Sequence, residues 1–173
     1  SSVVNALSTY MDVKISRDGA VHHDRYERGI PVVELEDGLL PVIGKTKKTG
    51  TCVNFLPDPT IFEKTRFKEE EIKSRLHETA YLNPELTIIF TDKRKTQEER
   101  IEYHEPDGII GFIKDLNSKK EVIHDPVYYK GEAEGIEVEV AFQYVNEFHE
   151  NVLGFCNNIY NAEGGTHLTG FKT

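Results

Sequence analysis

Apolar and polar side chains alternate over Met11, Val13 and Ile15, the period-two mark of a strand with one face turned inward. Asp18-Gly19 supplies a tight turn, and residues 20–28 are predicted to return as a second strand. Gly29-Ile30-Pro31 ends that strand. Residues 32–48 carry no clear period, and Asp37-Gly38, Pro41 and Gly44 mark turns within them. Residues 51–56 form another predicted strand, stopped by Pro57-Asp58-Pro59. Ahead of these, Val3, Val4, Ala6 and Leu7 make residues 2–8 a short apolar stretch, read as the end of a helix because no cap leads into it.

The period then changes. Ile72, Leu76 and Ala80 recur every fourth residue, so residues 67–82 are predicted as a helix that Asn83-Pro84 ends. Residues 86–91 and 100–104 read as a hairpin around a charged loop. After Pro106-Asp107-Gly108, the residues Ile109, Phe112, Ile113 and Leu116 share one face of a second helix. Ile136, Val138, Val140, Phe142 and Tyr144 alternate with Glu137, Glu139, Ala141 and Gln143, which predicts a strand with one buried and one wet face. Residues 146–150 are predicted as its turn and 152–159 as its partner. Glu163-Gly164-Gly165-Thr166 reads as a turn into a last helix. The fold class is α+β. An opening helix without a start and a closing helix without a finish suggest either a piece of something larger or frayed ends.

Composition narrows the function classes. Of the 173 residues, 38% are apolar and 29% charged, ordinary for a globular domain. No apolar run approaches the ~20 residues a membrane-spanning helix needs, and no basic segment opens a secretory signal, so no membrane role is expected. Cys52 and Cys156 fit no metal or redox spacing and are read as buried, reduced thiols of a cytoplasmic protein. A net charge of −9 argues against a chain that grips nucleic acid through phosphates. It leaves room for a part that handles nucleotide or relays a motion.

Candidate chemistry is sparse. His22 and His23 are adjacent on a strand and point to opposite faces, so they cannot chelate one metal. The other histidines are scattered, and no metal site is assigned. Glu137 and Glu139 read as a solvated face rather than an acid/base pair. In Thr49-Gly50-Thr51, a hydroxyl could bond a base edge or satisfy backbone. Glu163-Gly164-Gly165-Thr166-His167 could offer backbone N–H groups to an anion, or serve as a plain helix entry, the simpler reading. Neither a Walker A loop nor Gly-x-Gly-x-x-Gly occurs.

Several stretches taken together go further. Ser2-Val3-Val4-Asn5-Ala6-Leu7-Ser8, Arg17-Asp18-Gly19, Arg28-Gly29-Ile30-Pro31 and Lys48-Thr49-Gly50-Thr51, with Phe55 and Pro57, resemble the later half of the ATPase domain in B subunits of bacterial type IIA DNA topoisomerases. Arg75-Leu76-His77-Glu78-Thr79-Ala80-Tyr81-Leu82-Asn83 resembles that family's following helix. Gly135-Ile136-Glu137-Val138-Glu139-Val140-Ala141, then Asn157-Asn158-Ile159 and Glu163-Gly164-Gly165-Thr166-His167, resemble its transducer. The order is the family's over essentially the whole chain. Pro106-Asp107-Gly108-Ile109 stands where the family usually has Gly-Gly-Ile.

The resemblance implies a partial GHKL (Bergerat) ATPase layer over residues 1–105 and the start of a ribosomal-S5-like transducer over 106–173. It implies that Thr51 helps read adenine, that Val53 is an apolar wall of that pocket, and that Ser1 and Ser2 follow the phosphate lid. Arg17 is implied as the rim arginine that aminocoumarin inhibitors contact. ATP and Mg²⁺ would serve the full-length enzyme, with none expected on this stretch alone. The catalytic Glu, the Mg²⁺-holding Asn and the Gln-Thr-Lys lysine are expected outside it, so no catalytic residue is assigned here and the isolated piece is expected to be inactive. Implied partners are DNA, gyrase A (in an A2B2 complex) and a second copy of gyrase B on ATP binding. Bare strand edges would let copies of the piece pair. Gyrase is favoured over the B component of topoisomerase IV, over mismatch-repair or chaperone GHKL ATPases, and over a stand-alone binding module.

Overall fold

The alternation at Met11, Val13 and Ile15 sets the geometry of the first part of the chain. A computed structural model describes residues 2–94 and 96–173, and Ser1 and Lys95 lie outside the described residues. Two compact units result, Ser1–Phe67 and Lys68–Thr173.

In the first unit, helix α1 (Ser2–Ala6) leads into β1 (Ser8–Arg17), β2 (Ala20–Glu27), β3 (Ile30–Pro31), β4 (Val42–Lys45) and β5 (Gly50–Pro57). They form one antiparallel sheet in the order β3-β2-β1-β5, with β4 also on β2. β1 pairs with β2 on one side and β5 on the other, and its register runs Met11 opposite Tyr26 and Phe55, Val13 opposite Asp24 and Val53, Ile15 opposite His22 and Thr51. The Arg28-Gly29 turn joins β2 to β3. Gly29 has φ +81, and a Cβ there would meet the Ala6 backbone of α1 at 3.4 Å, so a bare backbone lets helix and turn close up.

In the second unit, α2 (Glu69–Leu82) precedes the hairpin β6 (Ile88–Asp92) and β7 (Glu99–Tyr103), and α3 (Gly108–Leu116) precedes the hairpin β8 (Val127–Ala133) and β9 (Ile136–Phe142). The short pair β10 (Phe155–Cys156) and β11 (Ile159–Tyr160) and helix α4 (Thr166–Lys172) follow. α2 starts at Glu69 with three glutamates in its first turn, which suit the positive end of the helix.

Three expectations from sequence are corrected. β9 pairs with β8, not with residues 152–159. Glu134 and Gly135 both take positive φ (53° and 77°), which closes a two-residue hairpin in the favoured twist. The apolar face of β9 is also open: Ile136 is 65% exposed and Val138 48%. Cys52 and Cys156 are exposed free thiols.

Little of the apolar surface is covered. Among the described residues, the buried apolar side chains are Met11 in the first unit and Ala80 and Tyr81 in the second. Strand β5 pairs only with β1, so its other edge carries no partner among the described residues.

Candidate nucleotide face and aromatic ladder

Pleating assigns the side chains of the first sheet to two faces. Met11, Val13, Ile15 and Arg17 of β1 fall on one face, with Thr51, Val53 and Phe55 of β5 beside them. Thr51 stands opposite Ile15, Val53 opposite Val13, and Phe55 opposite Met11. Arg17 occupies the next rung beyond Ile15, opposite Ala20. The sheet therefore brings Thr51, Val53 and Arg17 together on one apolar strip, the hydroxyl near one end and the guanidinium at its margin. All three are exposed, Val53 to 50%. Phe55 closes the other end by an edge-on contact with Phe67, centroids 6.2 Å apart.

The opposite face is polar and internally neutralised. His23 Nε2 lies 2.7 Å from Asp12 Oδ2, Arg25 stands 3.6 Å from the same carboxylate, and its guanidinium caps the Tyr10 ring at 4.8 Å. The His23 hydrogen bond holds the Asp12 carboxyl below its ordinary range against the opposing effect of burial.

Helix α1 packs on β1 and β5 and carries Ser2, which is exposed; Ser1 lies outside the described residues. The Ser8 hydroxyl donates to the Val4 carbonyl at 2.6 Å, and the Asp58 N–H donates to the Leu7 carbonyl at 3.0 Å. Asp58 is the anchor here, with 1% of its side chain exposed. The Thr60 hydroxyl and N–H donate to one of its oxygens at 2.7 and 2.9 Å, and Arg28 Nε donates to the other at 2.7 Å. These donors hold its carboxyl down at about 2. In the sequence, Pro57-Asp58-Pro59 signals only a strand stop; its role in fixing α1 has no sequence signal.

In the second unit, side chains one turn apart on α2 build a stack. His77 lies between Tyr81 (4.5 Å) and Tyr103 (4.9 Å), and Tyr81 is nearly parallel to Phe112 of α3 at 5.0 Å and 7°. Phe112 meets Phe155, which meets Tyr160. His77 Nε2 is 2.7 Å from Glu105 Oε1. Burial pushes the Tyr81 hydroxyl up to about 12, helped by Asp115 and Glu105. Glu137 and Glu139 both reach Lys130, at 2.9 and 3.0 Å, beside a recess of about 480 Å³, so they balance a cation rather than act as an acid/base pair. Gly164-Gly165 leads into α4 as a helix entry, the Gly165 carbonyl accepting from the Leu168 and Thr169 N–H groups.

Comparison with known proteins bears on both units. The profile of the DNA gyrase B family matches residues 108–173. The DNA gyrase B protein of Streptococcus pneumoniae (strain TIGR4) is 47% identical over 175 aligned positions, covering 100% of this chain. The chain belongs to the DNA gyrase B family. The DNA gyrase B protein of Enterococcus faecalis (strain V583) is 45% identical, again over 100% of the chain. This gyrase B chain spans 26% of the length of either relative. It superposes on the 43K ATPase domain of Thermus thermophilus gyrase B, solved with an aminocoumarin, with a TM-score of 0.82 and 36% identity, over 99% of this chain and 46% of that one. The gyrase B structure from Myxococcus xanthus gives the same TM-score at 27% identity, covering 96% of this chain and 48% of that one. The α+β fold is thus that of a gyrase B ATPase region, of GHKL type. These relatives are gyrase B proteins, so the gyrase reading stands over the B component of topoisomerase IV, other GHKL ATPases and a stand-alone binding module. Among the described residues, no helix is long and apolar enough to cross a membrane.

Proposed function

We propose that this chain forms the adenine-side wall and the first part of the transducer in the ATP-operated clamp of DNA gyrase B. Residues 1–105 are the later part of the GHKL ATPase domain and 106–173 the start of the S5-like transducer. The clamp couples ATP binding and hydrolysis to DNA strand passage and supercoiling, in the cytoplasm, with DNA, gyrase A in an A2B2 complex and a second copy of gyrase B as partners.

The observation that carries this reading is the placement of Thr51, Val53 and Arg17 on one open apolar face. That face fits a planar base. Val53, Val13 and Ile15 give it an apolar bed, and the Thr51 hydroxyl, a donor and an acceptor, bonds its edge. Arg17 at the rim offers a fixed fork of donors to an anionic or carbonyl-bearing ligand, which is the place of an aminocoumarin. Ser1 and Ser2 follow the phosphate lid in sequence, and Ser2 opens α1. The residues do not fit a metal: among the described residues, no three His, Cys, Asp or Glu side chains converge, so no step is assigned through Mg²⁺.

Positioning a water and stabilising the departing phosphate supply most of the rate in phosphoryl transfer. These 173 residues contain no Gln-Thr-Lys sequence, and the carboxylate that shares the Thr51 face, Asp24 opposite Val13, already accepts from the Tyr26 hydroxyl at 2.5 Å and the Arg25 N–H at 2.9 Å. The polypeptide of these residues alone therefore has no ATP turnover and weak nucleotide affinity, and its open β5 edge lets copies pair. Phosphate release measured with this polypeptide tests the first point: background rates are expected, and turnover above background contradicts it.

A further inference from the structure

Positive charge is concentrated where this acidic chain turns. Residues 42–52 hold Lys45, Lys47 and Lys48 and no acidic residue, against a net charge of −9 for the whole. All three lysines are exposed, and none makes an ion pair among the described residues. Their loop is held by main chain and hydroxyl instead: Thr46 N–H donates to the Gly19 carbonyl at 3.0 Å, and Lys48 N–H donates to Thr46 Oγ1 at 3.0 Å. That ties the β4–β5 loop to the β1–β2 turn. Ala20 pairs with Arg17 on one side and Lys45 on the other, so these two cations share a face, two strand spacings or roughly 10 Å apart. Lys14 is exposed on the other face nearby. On these turns and the Ala20 rung, Arg17, Lys45, Lys47 and Lys48 accompany one carboxylate, Asp18, which Arg17 contacts at 3.3 Å, while Lys14 acts on Asp12 of its own face.

Lysine at a sheet margin can simply discourage edge pairing. Lys47 and Lys48 lie beyond the last paired residue of β4, Lys45, where no ladder would grow. Nor do they belong to a surface that reads groups. Gly44-Lys45-Thr46-Lys47-Lys48-Thr49-Gly50 offers no aromatic ring and no side-chain amide. Lysine is a point charge without directional preference, suited to a row of phosphates rather than to a base edge or a peptide.

We propose that this end of the first unit is a sequence-independent contact surface for the phosphates of duplex DNA. The proposal rests on the gyrase reading above. Each phosphate neutralised contributes about 0.9 to the slope of log affinity against log salt. In the native protein, Lys45→Gln with Lys47→Gln removes up to two contacts, so the slope should flatten by about 1.8, measured by fluorescence anisotropy of a fluorescein-labelled duplex. Between 50 and 200 mM salt this means a loss of affinity about twelvefold smaller than in the unaltered protein. Lys114→Gln, on α3, should leave the slope unchanged. An unaltered slope in the double variant overturns the proposal and leaves the lysines as edge protection. A slope change of equal size in Lys114→Gln overturns it in favour of bulk charge. Weaker ATP binding in the double variant overturns it in favour of the nucleotide. ATP turnover of the unaltered protein is read alongside: its absence sinks the gyrase reading, whatever the salt slope does.

Discussion

Replacing Tyr81 by leucine tests what holds the second unit together. The ring is 6% exposed and stacks on His77 at 4.5 Å and on Phe112 at 5.0 Å. Leucine preserves apolar burial but deletes both ring contacts. Aromatic pairs contribute about 0.5–1.5 kcal/mol beyond the area they bury, so the two together give about 1–3 kcal/mol. For a unit of about 100 residues, each kcal/mol lowers Tm by roughly 4–8 °C, and a loss near the middle of that range lowers it by roughly 8–16 °C. Hydrogen exchange localises the effect: the amides of α2 and α3 should open more readily in Tyr81→Leu, and those of β1 and β5 should not. Tyr81→Phe keeps both stacks and should stay within about 0.5 kcal/mol of the parent, because burial already keeps the hydroxyl un-ionised up to about 12. The reasoning fails if leucine costs nothing, or if phenylalanine costs as much as leucine.

Other expectations concern the first unit and its face. The Asp58 carboxyl is held at about 2 by Thr60 and Arg28, below the ~3.9 of an unfolded chain, so its contribution is complete above about pH 4 and disappears as pH falls through 2. Urea midpoints followed from pH 6 to 2 should show that fall in the parent and a shallower one in Asp58→Asn. Gly29→Ala forces a side chain into positive φ and should cost about 1–2 kcal/mol, read from urea unfolding; a neutral result would mean that the turn does not hold that φ. Thr51→Val removes one hydroxyl of nearly equal volume; in the native protein it should weaken ATP-analogue binding by roughly 2- to 13-fold, the value of one hydrogen bond, with unfolding unchanged. Calorimetric titration showing native affinity would remove Thr51 from the site.

What the sequence makes legible is local. Asp18-Gly19, the fourfold spacing of Ile72, Leu76 and Ala80, and the apolar quartet of α3 each specify an element without help from distant residues. Strand β8 is hidden in the sequence because Val127-Tyr128-Tyr129-Lys130-Gly131-Glu132-Ala133 carries two adjacent tyrosines and an internal glycine, which blur the alternation. Its pairing depends on the turn at Glu134-Gly135, which a reading of β9 alone does not weigh. The common face of Thr51, Val53 and Arg17 follows from period-two alternation once the register is known. The rung joining Arg17 to Lys45 does not, since a bulge between Val21 and His22 shifts the β2–β4 register. Burial is the least legible: an apolar stripe says which face shuns water but not what covers it, so the open faces of β5 and β9 and the exposed Cys52 and Cys156 come only with the structure.

The most direct test of the nucleotide face is photolabelling of the native protein with 8-azido-ATP, followed by peptide mapping. The account predicts labelled peptides from β5 around Thr51 and Val53, with label lost when excess ATP competes. Competable label confined to other parts of the chain, with β5 unmarked, would contradict it.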